Sequence, residues 1–179
     1  FNDVSVVIDS SSNEGTNNYA FNIASPGLKI IRPNIIAKGT RVIYVFTSSS
    51  QNSGTEIKDM KLFVKDVLPA RLIYMNNLRN ILIDGADIEI DPGISGSTTK
   101  LMYLPASAVD SVEFIKLRNI NLKGIYKADY LFDIREKVAL LDVDKLKIDS
   151  LGTGRILTST DSIMHFRLNN LDIKSNRSG

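Results

Sequence analysis

The sequence predicts an all-β solenoid of stacked parallel strands, about seven turns long and forming a single domain over residues 1–179. Three observations predict it. An apolar pattern recurs at a nearly constant interval, a second short strand-like run lies in each interval, and the signs of the polar residues alternate from one recurrence to the next.

The recurrence is clearest toward the C-terminus. Val112, Phe114, Leu117, Ile120 and Leu122 have the spacing of Val138, Leu140, Val143, Leu146 and Ile148, and again of Ile163, His165, Leu168, Leu171 and Ile173. Anchored on its third member, the pattern runs backward through Ile83-Ala86-Ile88, Ile57-Met60-Leu62, Ile31-Asn34-Ile36 and, more loosely, Phe1-Val4-Val6. By subtraction the intervals between anchors are 30, 26, 26, 34, 26 and 25 residues. Periods of this size belong to solenoids and propellers. No window keeps an apolar face at helical spacing, and four-stranded blades need about 40 to 45 residues, so stacked coils fit best.

The second element of each coil is Ala20–Ile23, Val42–Phe46, Leu72–Met75, Leu101–Leu104, Leu131–Ile134 and Ile156–Thr158, short runs rich in Ile, Val, Leu and Tyr. Between elements lie turn-forming clusters of variable length such as Ser10–Asn18, Ser48–Gly54 and Asp91–Thr99. The polar residues, which played no part in the alignment, test it. One position after the anchor the column reads Lys58, Asp84, Arg118, Asp144, Asn169; four after, Lys61, Asp87, Asn121, Lys147, Asp172; six after, Phe63, Glu89, Lys123, Asp149, Lys174. On neighbouring strands about 4.8 Å apart opposite charges help and like charges hurt. The alignment is weakest near the N-terminus, where it sets Arg32 above Lys58.

Carried by Val112–Leu122, Val138–Ile148 and Ile163–Ile173, this pattern resembles the right-handed, single-stranded parallel β-helix of the pectate-lyase-like superfamily. The resemblance covers nearly the whole chain and is architectural, since no catalytic motif accompanies it. It implies an extracellular setting, on a bacterial cell surface or a virion, and three functional classes: a binding or scaffold segment, a polysaccharide lyase or glycoside hydrolase, and a trimeric tailspike shaft. The fold alone does not choose among them.

Composition narrows the field. Twenty-two Lys+Arg against 20 Asp+Glu leave a formal charge of +2, which argues against a nucleic-acid binder that works through bulk positive charge. Cysteine is absent, removing disulfides, thiol catalysis and thiolate zinc sites. No apolar run approaches the roughly 20 residues of a membrane span. The chain opens on Phe1 and both ends of the stack look uncapped, so a segment of a longer chain is expected.

Candidate site residues fall into two groups. Along the second strands one alternating set, including Ile43/Val45, Ile73/Met75, Met102/Leu104 and Phe132/Ile134, is apolar throughout and assigned to the core. The other, Val42/Tyr44, Leu72/Tyr74, Leu101/Tyr103, Leu131/Asp133 and Ile156/Thr158, is expected to point outward, preceded by Arg41, Arg71 and Lys100. An external aliphatic stripe beside Tyr44, Tyr74, Tyr103, Arg41, Arg71 and Lys100 has two readings: a surface covered by another part of the protein or a partner subunit, as in a homotrimer, or a glycan groove whose tyrosines stack on sugars.

The second group is Asp84, Asp87, Glu89 and Asp91, the weak catalytic candidates. Asp87, Glu89 and Asp91 alternate with Ile88 and Ile90, so they share one strand face, a weak calcium site through carboxylate oxygens. Each of Asp84, Asp87 and Glu89 also has a basic neighbour in the stack, Lys58 or Arg118, Lys61, and Lys123, which makes a salt-bridge ladder the simpler role, with no cofactor required. The lone His165, in the column of Phe114 and Leu140, reads as a core or end-of-stack residue. Gly152-Thr-Gly154 is a turn, and Asn176-Arg-Ser178 a short match to a glycosylation acceptor.

Overall fold

The computed structural model describes residues 1–9, 18–23, 27–39, 43–48, 54–65, 70–76, 78–91, 100–106, 112–124, 130–151 and 155–175. Its elements are β1 (Ser5–Asp9), β2 (Asn18–Asn22), β3 (Lys29–Ile31), β4 (Asn34–Lys38), β5 (Ile43–Ser48), β6 (Thr55–Lys65), β7 (Ala70–Met75), β8 (Asn80–Asp91), β9 (Lys100–Leu104), β10 (Val112–Lys123), β11 (Tyr130–Ile134), β12 (Val138–Leu151), β13 (Arg155–Ser159) and β14 (Ile163–Ser175). Even- and odd-numbered strands from β5 onward sort into two sheets. One sheet runs β1-β4-β6-β8-β10-β12-β14, with β3 also on β6; the other runs β13-β11-β9-β7-β5-β2. The strand pairs are parallel. The chain is a parallel β-solenoid, as the sequence predicts, and the core is the space between the two sheets.

The turn count is lower than expected. Seven strands line up along the first sheet, but only β6, β8, β10, β12 and β14 run 11 to 14 residues. The solenoid has about five turns rather than seven, because the N-terminal rungs are short pieces.

Each long strand contains one residue in the left-handed region: Asp59 (φ 51°), Gly85 (76°), Asn119 (53°), Lys145 (57°) and Asn170 (53°). Arg32 (49°) and Asp3 (52°) continue the column. A left-handed residue interrupts strand alternation, so the inward side chains on its two sides are three residues apart instead of two. That bend is the physical origin of the Leu117/Ile120 and Val143/Leu146 spacing. Asn, Asp and Gly tolerate the conformation best and hold most of the positions. A Cβ at Gly85 would lie 2.7 Å from Asp59 Oδ1, so the exposed Asp59 side chain would have to shift to admit one.

Toward the C-terminus the pairings Leu117↔Val143 and Val143↔Leu168 match the expected anchors. Two corrections apply. Ile30, rather than Ile31, is the inward anchor opposite Ile57. Of two adjacent isoleucines the structure buries the one that leaves Arg32 in the bend column. There it pairs with Asp3 at 2.7 Å instead of standing above Lys58. The second correction lies upstream of the anchor, where Ile115 and Leu141 are fully buried while Phe114 and Leu140 are only partly so. Strand alternation from Leu117 and Val143 reaches Ile115 and Leu141, so Phe114 and Leu140 fall on the outer side. His165 pairs with Leu140 as expected and is exposed on β14, the end strand of the sheet, so of the two expected places it takes the end of the stack rather than the core.

Candidate ligand-binding face

The second sheet departs from the expected alternation. Leu72 and Ile73, Leu101 and Met102, and Leu131 and Phe132 are consecutive and all buried. The expected external aliphatic stripe therefore does not exist at these positions: the strands bend so that two successive side chains enter the core. What remains partly exposed are the flanking Arg71, Tyr74, Lys100, Tyr103 and Tyr130, while Asp133 is buried with the pair it follows.

The register differs too. Tyr44 pairs with Arg71, and Arg71 with Lys100, while Thr47 pairs with Tyr74, Tyr74 with Tyr103, and Tyr103 with Asp133. Aligning Tyr44 with Tyr74 is off by three residues. The rings meet nonetheless, because Tyr44 reaches diagonally across the rung. The Tyr44 and Tyr74 ring centroids are 4.7 Å apart at 47°, and those of Tyr74 and Tyr103 are 5.5 Å apart at 36°. All three rings are half-buried.

Cations fill the second column. The Arg71 guanidinium lies 4.5 Å from the Tyr103 ring centroid and 5.8 Å from those of both Tyr44 and Tyr74. Lys100 Nζ is 4.9 Å from the Tyr103 centroid, and the Arg135 guanidinium 5.1 Å. Lys100 also ion-pairs with Asp133, whose side chain is only 2% exposed. Arg135 Nε and Nη2 donate to Asp133 Oδ1 and Oδ2 at 3.1 and 3.2 Å. Burial pushes the Asp133 carboxyl up, yet the hydrogen bonds from Arg135 and Lys100 outweigh it and hold the group below the usual carboxylate range. Of the tyrosine-face residues singled out from sequence, Tyr44, Tyr74, Tyr103, Arg71 and Lys100 come together; Arg41 lies outside the described residues. The Asp133–Arg135 part of the cluster was missed. Its signal was available: an aspartate in the tyrosine column within the otherwise apolar Leu131–Ile134 run, followed by an arginine two residues later.

This arrangement holds aromatic faces and cations in fixed positions, and commits its carboxylate to two ion pairs. It is suited to contact rather than to proton transfer.

The other candidates occupy the outer side of the first sheet. Asp87 and Glu89 are exposed and Asp91 partly so, with Ile88 and Ile90 buried between them, as alternation requires. The stacking neighbours are those expected: Lys58↔Asp84, Lys61↔Asp87 and Lys123↔Glu89. The salt-bridge ladder does not form there. Lys58 Nζ pairs with Glu56 at 2.8 Å, and Asp84 and Asp87 accept hydrogen bonds from Asn119 and Asn121 at 2.7 and 3.1 Å. Among the described residues no group of three His, Cys, Asp or Glu side chains is placed to hold a metal ion. No described helix is long and apolar enough to cross a membrane. Gly152–Gly154 and Asn176–Ser178 lie outside the described residues.

No protein-family model matches the chain, and neither the curated proteins nor the solved structures contain a match.

Proposed function

We propose that this chain is a non-catalytic, extracellular binding segment of the pectate-lyase-like kind that presents the outer face of its second sheet to carbohydrate. The observation that carries the proposal is the continuous row of Tyr44, Tyr74 and Tyr103, with centroids 4.7 and 5.5 Å apart and Arg71 over all three rings. Aromatic rings spaced by the strand repeat, about 4.8 Å, suit an extended polymer of rings better than a compact ligand. Affinity would come from several shallow contacts along the stack, each weak alone, rather than from capture in a deep pocket. The competing idea of a surface covered by a partner drew on an external aliphatic stripe, and the leucines named for it, Leu72, Leu101 and Leu131, are in the chain's own core.

The test is electrophoresis of the purified chain through gels containing neutral and acidic polysaccharides, with reducing ends and unsaturated products assayed in parallel. Retardation by at least one polysaccharide, weakened in the Tyr74→Ala/Tyr103→Ala variant and unaccompanied by product, is the expected result. Product release would make the chain a lyase or hydrolase. Retardation undiminished by the double substitution would remove the tyrosine row from the proposal.

A further inference from the structure

The outer face of the first sheet carries a groove of about 180 Å³ across β6, β8 and β10, lined by Lys61, Phe63, Asp87, Glu89, Asn121 and Lys123 among others. The rungs arrange these residues as a grid. Lys61, Asp87 and Asn121 form one column, and Phe63, Glu89 and Lys123 the next. Although Lys61 stands beside Asp87 and Lys123 beside Glu89, no ion pair within 4.0 Å joins the four charged groups, which leaves both ammonium groups, the Glu89 carboxylate and Asp87 Oδ2 open to a ligand. Asn121 Nδ2 donates to Asp87 Oδ1 at 3.1 Å. Its Oδ1 is buried without a partner and presents no surface for a ligand to reach.

We infer that this groove is a second saccharide subsite, specific for an uncharged ring. The two lysines offset the two carboxylates, so a cation meets Lys61 and Lys123 and an anion meets Asp87 and Glu89, and neither gains net Coulomb energy. A ring hydroxyl both donates and accepts. Hydroxyls donate to the exposed Asp87 and Glu89 carboxylates while taking hydrogen bonds from the lysines. The half-buried Phe63 ring supplies the apolar surface that the C–H face of a pyranose covers. The volume is below the roughly 300 Å³ at which whole-ligand pockets begin, which fits one ring of a longer chain. The inference rests on the carbohydrate reading but places contact on a different sheet from the tyrosines.

The experiment is a titration of the isotope-labelled full chain with neutral gluco-, xylo-, manno- and galacto-tetrasaccharides and their uronate counterparts, read by amide chemical shifts. Expected are saturable shifts of the Asn121 side-chain amide and the Phe63 and Glu89 backbone with a neutral series. These shifts persist in Tyr74→Ala/Tyr103→Ala and weaken about tenfold in Phe63→Ala and in the conservative, exposed-site variant Glu89→Gln. Shifts confined to the tyrosine face would overturn the inference and leave the proposed function standing. Shifts nowhere would remove both. Groove shifts untouched by either substitution, or stronger with uronates, would refute the assignment.

Discussion

Replacing Asp133 by Asn tests the electrostatics of the tyrosine face directly. The substitution keeps the shape and removes the charge that Lys100 and Arg135 share. Removing one partner from a buried ion pair costs about 3–5 kcal/mol when the survivors have no water. Here the Lys100 and Arg135 side chains are 15% and 44% exposed, so solvent absorbs part of the penalty and the expected loss is about 2–3 kcal/mol. For a chain of this size that is a fall in Tm of roughly 5–10 °C. The pH dependence has a definite sign. The folded-state pKa of Asp133 is held below its ordinary value, so the stabilisation is complete above the ordinary carboxylate range and disappears as the pH falls through the lower folded-state value. Urea unfolding followed by circular dichroism, on wild type and Asp133→Asn across that range, measures both quantities. Lys100→Met/Asp133→Leu, which removes the more buried pair and leaves only the half-exposed Arg135, should lose less than Asp133→Asn. Equal stability of wild type and Asp133→Asn near neutral pH, or a difference that does not shrink on acidification, would refute the argument.

Other substitutions probe the coil itself. Gly124→Ala puts a Cβ 2.0 Å from the Ile90 carbonyl oxygen at a φ of +72°, and should cost more than about 3 kcal/mol in chemical denaturation. Gly27→Ala, with a similar φ and nothing within 4 Å, should cost only about 1 kcal/mol, so similar losses at the two sites would show that contact is not the deciding factor. Lys145→Asn places a residue tolerant of the left-handed region at φ 57° and should raise stability by about 0.5–1 kcal/mol, read as a higher urea midpoint at unchanged slope. Thr55 is buried with an unpartnered hydroxyl in the column of Ile81. Thr55→Val should gain about 1 kcal/mol, and a loss would mean the hydroxyl has a role in the fold.

The first sheet was legible because its period is long and its bend leaves a mark. A left-handed residue inserts a gap of three between inward side chains at Leu117/Ile120, Val143/Leu146 and Ile83/Ala86, a signature ordinary alternation does not produce. Where two equivalent residues adjoin, as at Ile30 and Ile31, hydrophobicity carries no information and the choice passes to Arg32 and Asp3. The second sheet was misread for a related reason. Period-two alternation assigns Leu72, Leu101 and Leu131 to the outside, but the strand turns a corner there with no glycine, proline or left-handed residue to announce it. The tyrosine cluster was found in spite of an incorrect register, since long side chains bridge a diagonal that short ones cannot.

The charge columns illustrate what polar residues contribute to such a stack. They alternate in sign as expected, yet at Lys61, Asp87, Glu89 and Lys123 no ion pair closes, while side-chain amides of Asn119, Asn121 and Asn170 bind the carboxylates of the preceding rung at 2.7, 3.1 and 2.9 Å. Exposed ion pairs are worth little, about 0–1 kcal/mol, so closing them would add little to stability. A one-residue slip of any rung, by contrast, would turn its buried Ile and Leu side chains to solvent and its charged ones into the core. Register is therefore fixed by the core and the bend, and the alternating charges act by keeping like charges apart. Because the fold does not require those charges to pair, the outer face of the first sheet can devote them to a ligand without loss of the stack that positions them.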